Sequence, residues 1–233
     1  MTNKVQVVSR RSALRGAAAG LTGALLTAAT TACTPEGTGT VPSPDPSPSR
    51  SNDGGSQDGG RVLLAYFSRA GENYYYGGRT NLDVGNTEVL AGMISALVPC
   101  DVHRIEAADP YPDSYDATVA RNVREQDTDA RPAIANPLPA IDQYDTVLLA
   151  SGIWNVRAPM IMTTFTESYD FTGKTVHPVT THAMSGLGTT ARDYEDSCPG
   201  AAIGEGLAVK GEEVRDAGAD IESWLRRTGL LPK

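Results

Sequence analysis

The sequence predicts an α/β protein: an open sheet of about five parallel strands with helices on both faces. Three observations carry this. Short apolar, β-branched runs recur at 61–67, 101–107, 145–151 and 174–181, with a weaker one at 201–209; such runs suit strands buried on both faces. Between and after them lie segments of helical period. The chain has 233 residues, 40% of them hydrophobic, enough for one good core once non-globular ends are removed.

Taken in order, "RVLLAYF" (61–67) is the first strand, and "NTEVLAGMISALV" (86–98) places Val89, Leu90, Met93, Ile94 and Leu97 on one helical face. "DVHRIEA" (101–107) is the second strand and "DSYDATVARNVREQ" (113–126) the next helix. "DTVLLAS" (145–151) and "KTVHPVTT" (174–181) follow as strands, then the weaker "AAIGEGLAV" (201–209). The closing "GEEVRDAGADIESWLRRTG" (211–229) has acids early and Arg226 and Arg227 late, as the helix dipole prefers. In such a sheet, ligands bind beyond the carboxyl ends of the strands.

The first 33 residues read as an address. A basic start and "SRRSALRG" precede the apolar run "AAAGLTGALLTAATTA" and Cys33, too short and too rich in Ala, Gly and Thr for a comfortable membrane span. Arg10 and Arg11 after Ser9 resemble the twin-arginine export signal, and "TTAC" (30–33) resembles a lipobox whose Cys33 takes a diacylglycerol. These resemblances imply an exported bacterial protein, lipid-anchored on the outer side of the cytoplasmic membrane or else simply secreted. Residues 34–60, dense in Pro, Ser, Gly and Asp, read as a disordered tether, so the folded domain is expected over 61–233. The formal charge is −8, and the first 32 residues hold four cations and no acid, leaving −12 from Cys33 onward. That balance disfavours nucleic acid and anionic lipid as partners.

The stretch "AYFSRAGENYYYGGRTNLDVGNTEVLA" (65–91) joins the first strand to the first helix. It delivers Ser68 to the ligand edge, and the helix opening at Asn86 and Thr87 offers free N–H groups and the positive dipole end, an anion site. No Lys stands in a G-x-x-x-x-G-K-[ST] arrangement, which argues against a nucleoside triphosphate loop.

With "YPDSYDATVARNVREQ", "YDFTGKTVHPVTTHAMSGLG" and "SCPGAAIGEGLAVKG", this stretch resembles, over about Arg61 to Arg227, a variant of the flavodoxin family. In that variant a tyrosine-rich insertion splits the phosphate loop. The resemblance implies a flavodoxin-like three-layer sandwich of sheet order 2-1-3-4-5, holding flavin mononucleotide (FMN) at the switch point. It further implies that Ser68, Arg69, Ala70, Asn86 and Thr87 wrap the phosphate. "SGIWNVRAP" (151–159) would be the first flavin-ring loop, with Trp154 stacking on the ring and Asn155, Val156 and Arg157 beside it. "THAMSGLG" (181–188) would be the second, with Ser185, Gly186 and Gly188 under the ring edge.

One departure stands out: the family's first ring loop has Gly where this chain has Val156. A flavodoxin turns a peptide here on reduction, which Gly tolerates best; a β-branched residue implies either another loop geometry or weakened flavin binding. Tyr74, Tyr75 and Tyr76 either pin the inserted loop to the body or cover the ribityl chain or a substrate. His182 with Ser185 lacks a G-x-S-x-G elbow, against a hydrolase, and His103, His177 and His182 lack metal-ligand spacing. Cys100 and Cys198 are either a disulfide or free thiols.

Two function classes follow. One is an FMN-binding redox protein, transferring electrons to a protein partner or reducing a small acceptor such as a quinone outside the cytoplasmic membrane. The other is a flavin-free tethered binding lipoprotein that keeps the fold.

Overall fold

A computed structural model describes residues 61–232. The export motif, Cys33 and the 34–60 tether lie outside the described residues.

The elements, in order, are β1 (Val62–Tyr66), β2 (Gly71–Tyr75), β3 (Gly78–Leu82), α1 (Asn86–Ser95), β4 (Asp101–Arg104), α2 (Tyr115–Asp127), β5 (Thr146–Gly152), α3 (Met160–Glu167), β6 (Thr175–His182), α4 (Thr190–Ser197), β7 (Ala202–Ile203), β8 (Leu207–Lys210), a 3-10 turn (Gly211–Asp216) and α5 (Gly218–Arg227). The main sheet runs β4-β1-β5-β6, with β7 and β8 both on the far edge of β6, and every pairing is parallel. Counting β7 and β8 as one interrupted strand, this is the expected order 2-1-3-4-5.

Both faces of β1, β5 and β6 are buried, which is why these strands read as continuous apolar runs. Leu64, Leu148 and Val179 pack against Leu90 and Ile94 of α1 and Ile221 and Trp224 of α5. Leu63, Val147 and Leu149 face the other way, onto Ile161 and Phe165 of α3 and Tyr194 of α4. Cys100 borders the first cluster and Cys198 belongs to the second, so the two thiols lie on opposite sides of the sheet and both are free.

The structure differs from the expectation in four places, each with a local cause. The last strand breaks at 204–206 opposite Pro178. Val176 turns its carbonyl toward that edge, where it accepts from Gly204 N–H at 2.8 Å, so Pro178, two residues on, faces the same edge without an N–H to give. The carbonyl of Glu205 is taken up instead by Trp224 Nε1 (3.0 Å), with His177 Nδ1 also within 2.9 Å of it. The run 211–229 divides into the 3-10 turn and α5. Helices α3 and α4 add to the expectation: each is only eight residues long, about two turns, shorter than the stretch over which a helical period can be read from sequence. Finally, the inserted segment forms a hairpin, β2–β3, with its own antiparallel register.

Candidate functional site

A cavity of about 550 Å³ opens at the carboxyl ends of β1, β5 and β6. It collects Ser68, Arg69, Asn86, Thr87, Trp154, Asn155 and Ser185 from the segments singled out in the sequence. Ala70, Val156, Arg157, Gly186 and Gly188 do not line it.

Part of the lining is built by the start of α1. Gly85 precedes the helix, and an added Cβ there would lie 2.3 Å from Ser68 Oγ and 2.5 Å from the Arg69 carbonyl oxygen, so only glycine lets the two halves of the split loop meet. Ser68 Oγ accepts from the Glu88 N–H at 3.1 Å. Thr87, 3% exposed, shares a hydrogen bond of 2.7 Å between its hydroxyl and that of Thr181 on β6. Among the described residues no acceptor takes the N–H of Asn86 or Thr87, leaving the positive end of α1 directed at the cavity.

Arg69 behaves differently from a phosphate-binding arginine. Its guanidinium donates to the carbonyls of Pro112 and Asp113, each at 3.0 Å, and to that of Glu72. Together with Glu72 Oε2, which accepts from Tyr115 N–H at 2.9 Å, these bonds fasten the base of the hairpin to the start of α2. Burial pulls the Arg69 guanidinium below its ordinary value, against the opposing pull of Asp113 and Glu72. Arg79 adds a second fastening, 3.6 Å above the Tyr115 ring and 3.0 Å from Asp116. The hairpin is thus pinned by Arg69 and Arg79, while Tyr74 lines the cavity and Tyr75 and Tyr76 are exposed at the tip.

The cavity also has apolar lining, from Trp154, Val119, Val123 and Met184. Trp154 sets its ring edgewise against Tyr111 (4.9 Å) and Phe67 (5.7 Å). Tyr111 is held in turn by a 2.8 Å hydrogen bond to Glu125, and Glu125 by Arg121 at 2.7 Å. Burial and that carboxylate hold the Tyr111 hydroxyl far above its ordinary value, so it stays a neutral donor and Trp154 keeps a fixed seat.

Val156 and Gly188 turn out to be framework. The chain reverses between Trp154 and Arg157 through Asn155, which takes the left-handed conformation at φ +67; Asn is among the residues that tolerate it. The strained position is therefore Asn155, one residue before the departure noted at Val156. The Val156 carbonyl accepts from Thr189 N–H at 2.8 Å and Thr189 Oγ1 at 3.3 Å. Gly188 makes room: at φ +54, an added Cβ would lie 2.1 Å from that same oxygen. Arg157 is 3.5 Å from Asp193 of α4, and Gly186 gives its carbonyl to Thr180 Oγ1. These residues fasten the two loops to each other and to β6.

Sequence reasoning missed the contribution of α2. Tyr115, Thr118, Val119, Asn122 and Val123 form a wall of the cavity, at the i, i+3, i+4, i+7, i+8 spacing of one helix face; valines on an otherwise polar helix were the available signal. It also gave Glu212 no place in the site, and His182 no role of its own within the 181–188 loop; both line the cavity. Burial holds the His182 imidazole below its ordinary value, with Glu212 opposing. Among the described residues no three His, Cys, Asp or Glu side chains are grouped to hold a metal ion.

A protein-family model described as flavodoxin matches residues 61–228. Two solved structures resemble the chain at 27% identity: a flavoprotein candidate from Bacteroides uniformis ATCC 8492 (TM-score 0.57; 72% of this chain, 99% of that one) and another from Bacteroides eggerthii DSM 20697 (TM-score 0.58; 72% and 98%). Among curated proteins none matches. A helix N-terminus set against a strand end, two loops joined over the sheet edge and a family match across the whole sandwich agree: the chain belongs to the flavodoxin family.

Proposed function

We propose that this cavity binds FMN non-covalently and that the protein is a redox protein, passing electrons to a protein partner or to a small acceptor such as a quinone. The observation that carries the reading is the mixed lining of the cavity. It combines the Asn86 and Thr87 N–H groups at the start of α1, which have no acceptor among the described residues, with the apolar group Trp154, Val119, Val123 and Met184. A phosphate monoester joined to a flat aromatic ring matches both, where an apolar ligand or a free anion matches one. The residues present fit the group: Gly85 lets Ser68 and Arg69 come directly against the start of α1, and among the described residues no acceptor takes the Asn86 and Thr87 N–H groups.

The flavin would supply the electron chemistry. The protein's part is to hold the phosphate by neutral donors, seat the ring against Trp154 and limit water through α2 and the hairpin. The reading extends to export and to anchoring at Cys33, which rests on the sequence motifs alone.

Purified full-length protein should take up about one FMN per chain, with quenching of flavin fluorescence, and should bind riboflavin more weakly. A protein that binds neither flavin would favour the flavin-free binding lipoprotein instead. The observation on that side is that the Val156 carbonyl, at the position of the family's mobile peptide, is tied to Thr189.

A further inference from the structure

Among the described residues lining the cavity, Arg69 is the one permanent cation and Glu212 the one carboxylate. They are not equivalent. The Arg69 guanidinium is engaged by three carbonyl oxygens at the base of the hairpin. Glu212 lies near the start of α1: its neighbour Gly211 is so close to the first residue of that helix that an added Cβ would come within 2.5 Å of Asn86 Nδ2. The carboxylate accepts one backbone N–H, from Tyr76 at the hairpin tip (3.2 Å). Among the described residues no Lys or Arg forms an ion pair with it, and the nearby Lys210 is paired with Glu213 at 3.2 Å. Tyr76 itself sits at φ +42, a conformation a bulky side chain seldom takes, and the Glu212 contact is what holds its N–H.

We infer that Glu212 is a specificity-determining residue that limits the preference of the site for phosphorylated over neutral flavin. The inference rests on the flavin reading above. The end of α1 attracts a phosphate, and the Glu212 carboxylate beside it repels the same group, while a flavin ending in a hydroxyl feels neither strongly. The site thus holds FMN by the difference of two opposed fields. A carboxylate at this place also gives the hairpin tip an acceptor that an apolar residue would not.

The test is titration of the full-length protein and its Glu212→Gln variant with FMN and with riboflavin, followed by flavin fluorescence, at low salt and at 1 M salt. Gln keeps an oxygen for the Tyr76 N–H and removes only the charge. The variant should bind FMN about tenfold more tightly and riboflavin within about twofold of wild type, with the FMN gain shrinking in high salt as the charges are screened. If both flavins bind but the variant shifts them equally, leaves both unchanged or weakens FMN, Glu212 does not act on the phosphate and this inference alone falls. If wild type binds neither flavin, the flavin reading falls and takes the inference with it.

Discussion

Replacing Gly188 by alanine separates two costs that a glycine at positive φ usually combines. Gly186 and Gly188 have nearly the same backbone, φ +59 and +54, but an added Cβ at 186 meets nothing within 4 Å, whereas one at 188 would lie 2.1 Å from the Val156 carbonyl oxygen. The left-handed conformation costs an L-residue roughly 1–2 kcal/mol at either position. At 188 the overlap is with backbone and is relieved only by parting the loops, which gives up the two bonds from Thr189 to Val156; these contribute about 0.5–1.5 kcal/mol each. Gly188→Ala should therefore destabilise the protein by about 3–4 kcal/mol and Gly186→Ala by about 1–2 kcal/mol. In thermal unfolding that is a fall in Tm of roughly 10 °C against roughly 5 °C, and Gly188→Ala should also lose flavin affinity, since Trp154 and Ser185 sit on the two parted loops. Equal effects from the two variants would refute the claim that the loops are joined at Val156.

Further expectations follow from the same geometry. Asn86→Asp places a negative charge at the start of α1, which favours the helix but repels a phosphate; unfolding should change by no more than a few tenths of a kcal/mol in either direction while FMN affinity falls about a hundredfold and riboflavin affinity far less. His103 and His182 are both held below the ordinary histidine value, chiefly by burial. The unfolded chain therefore takes up protons first as the pH falls through about 6.5, so acid favours unfolding; a His103→Asn/His182→Asn double variant should show a smaller drop in urea midpoint between pH 7.5 and 5.5 than wild type. Burial pushes the Cys198 thiol up to about 12, so a thiol reagent should leave Cys198 unmodified in the folded protein and modify it in urea. Stability should be the same with and without reductant, since Cys100 and Cys198 face opposite sides of the sheet.

The legible parts of this molecule were those where local pattern and tertiary role coincide. β1, β5 and β6 are buried on both faces, so their apolar runs announce them, and the glycine before Asn86-Thr87 marks a helix start wherever it stands. α3 and α4 were hidden because each spans only eight residues, about two turns, less than the window over which a helical period can be read. The break at 204–206 depends on Pro178 in the neighbouring strand, a relation across about 26 residues of sequence that no window spans. For the site, the strand and helix ends were placed correctly, but side-chain direction was not legible. Arg69 stands in the phosphate loop yet spends its charge on the hairpin, and Val156 stands in a ring loop yet serves through its carbonyl. The α2 wall and Glu212 come from segments whose nearness to the loop is fixed only by the fold.

The central claim is that a flavin phosphate sits on the N-terminus of α1, and the most direct measurement is the amide proton–nitrogen spectrum of the protein titrated with FMN and, separately, with riboflavin. FMN should shift the Asn86 and Thr87 amides strongly, as expected for N–H groups that gain a charged acceptor, and riboflavin should leave those two nearly in place while both flavins move the Trp154 indole signal. Shifts from FMN that leave Asn86 and Thr87 unmoved, or that gather at the separate cleft between Ala108 and Ala133, would contradict the account.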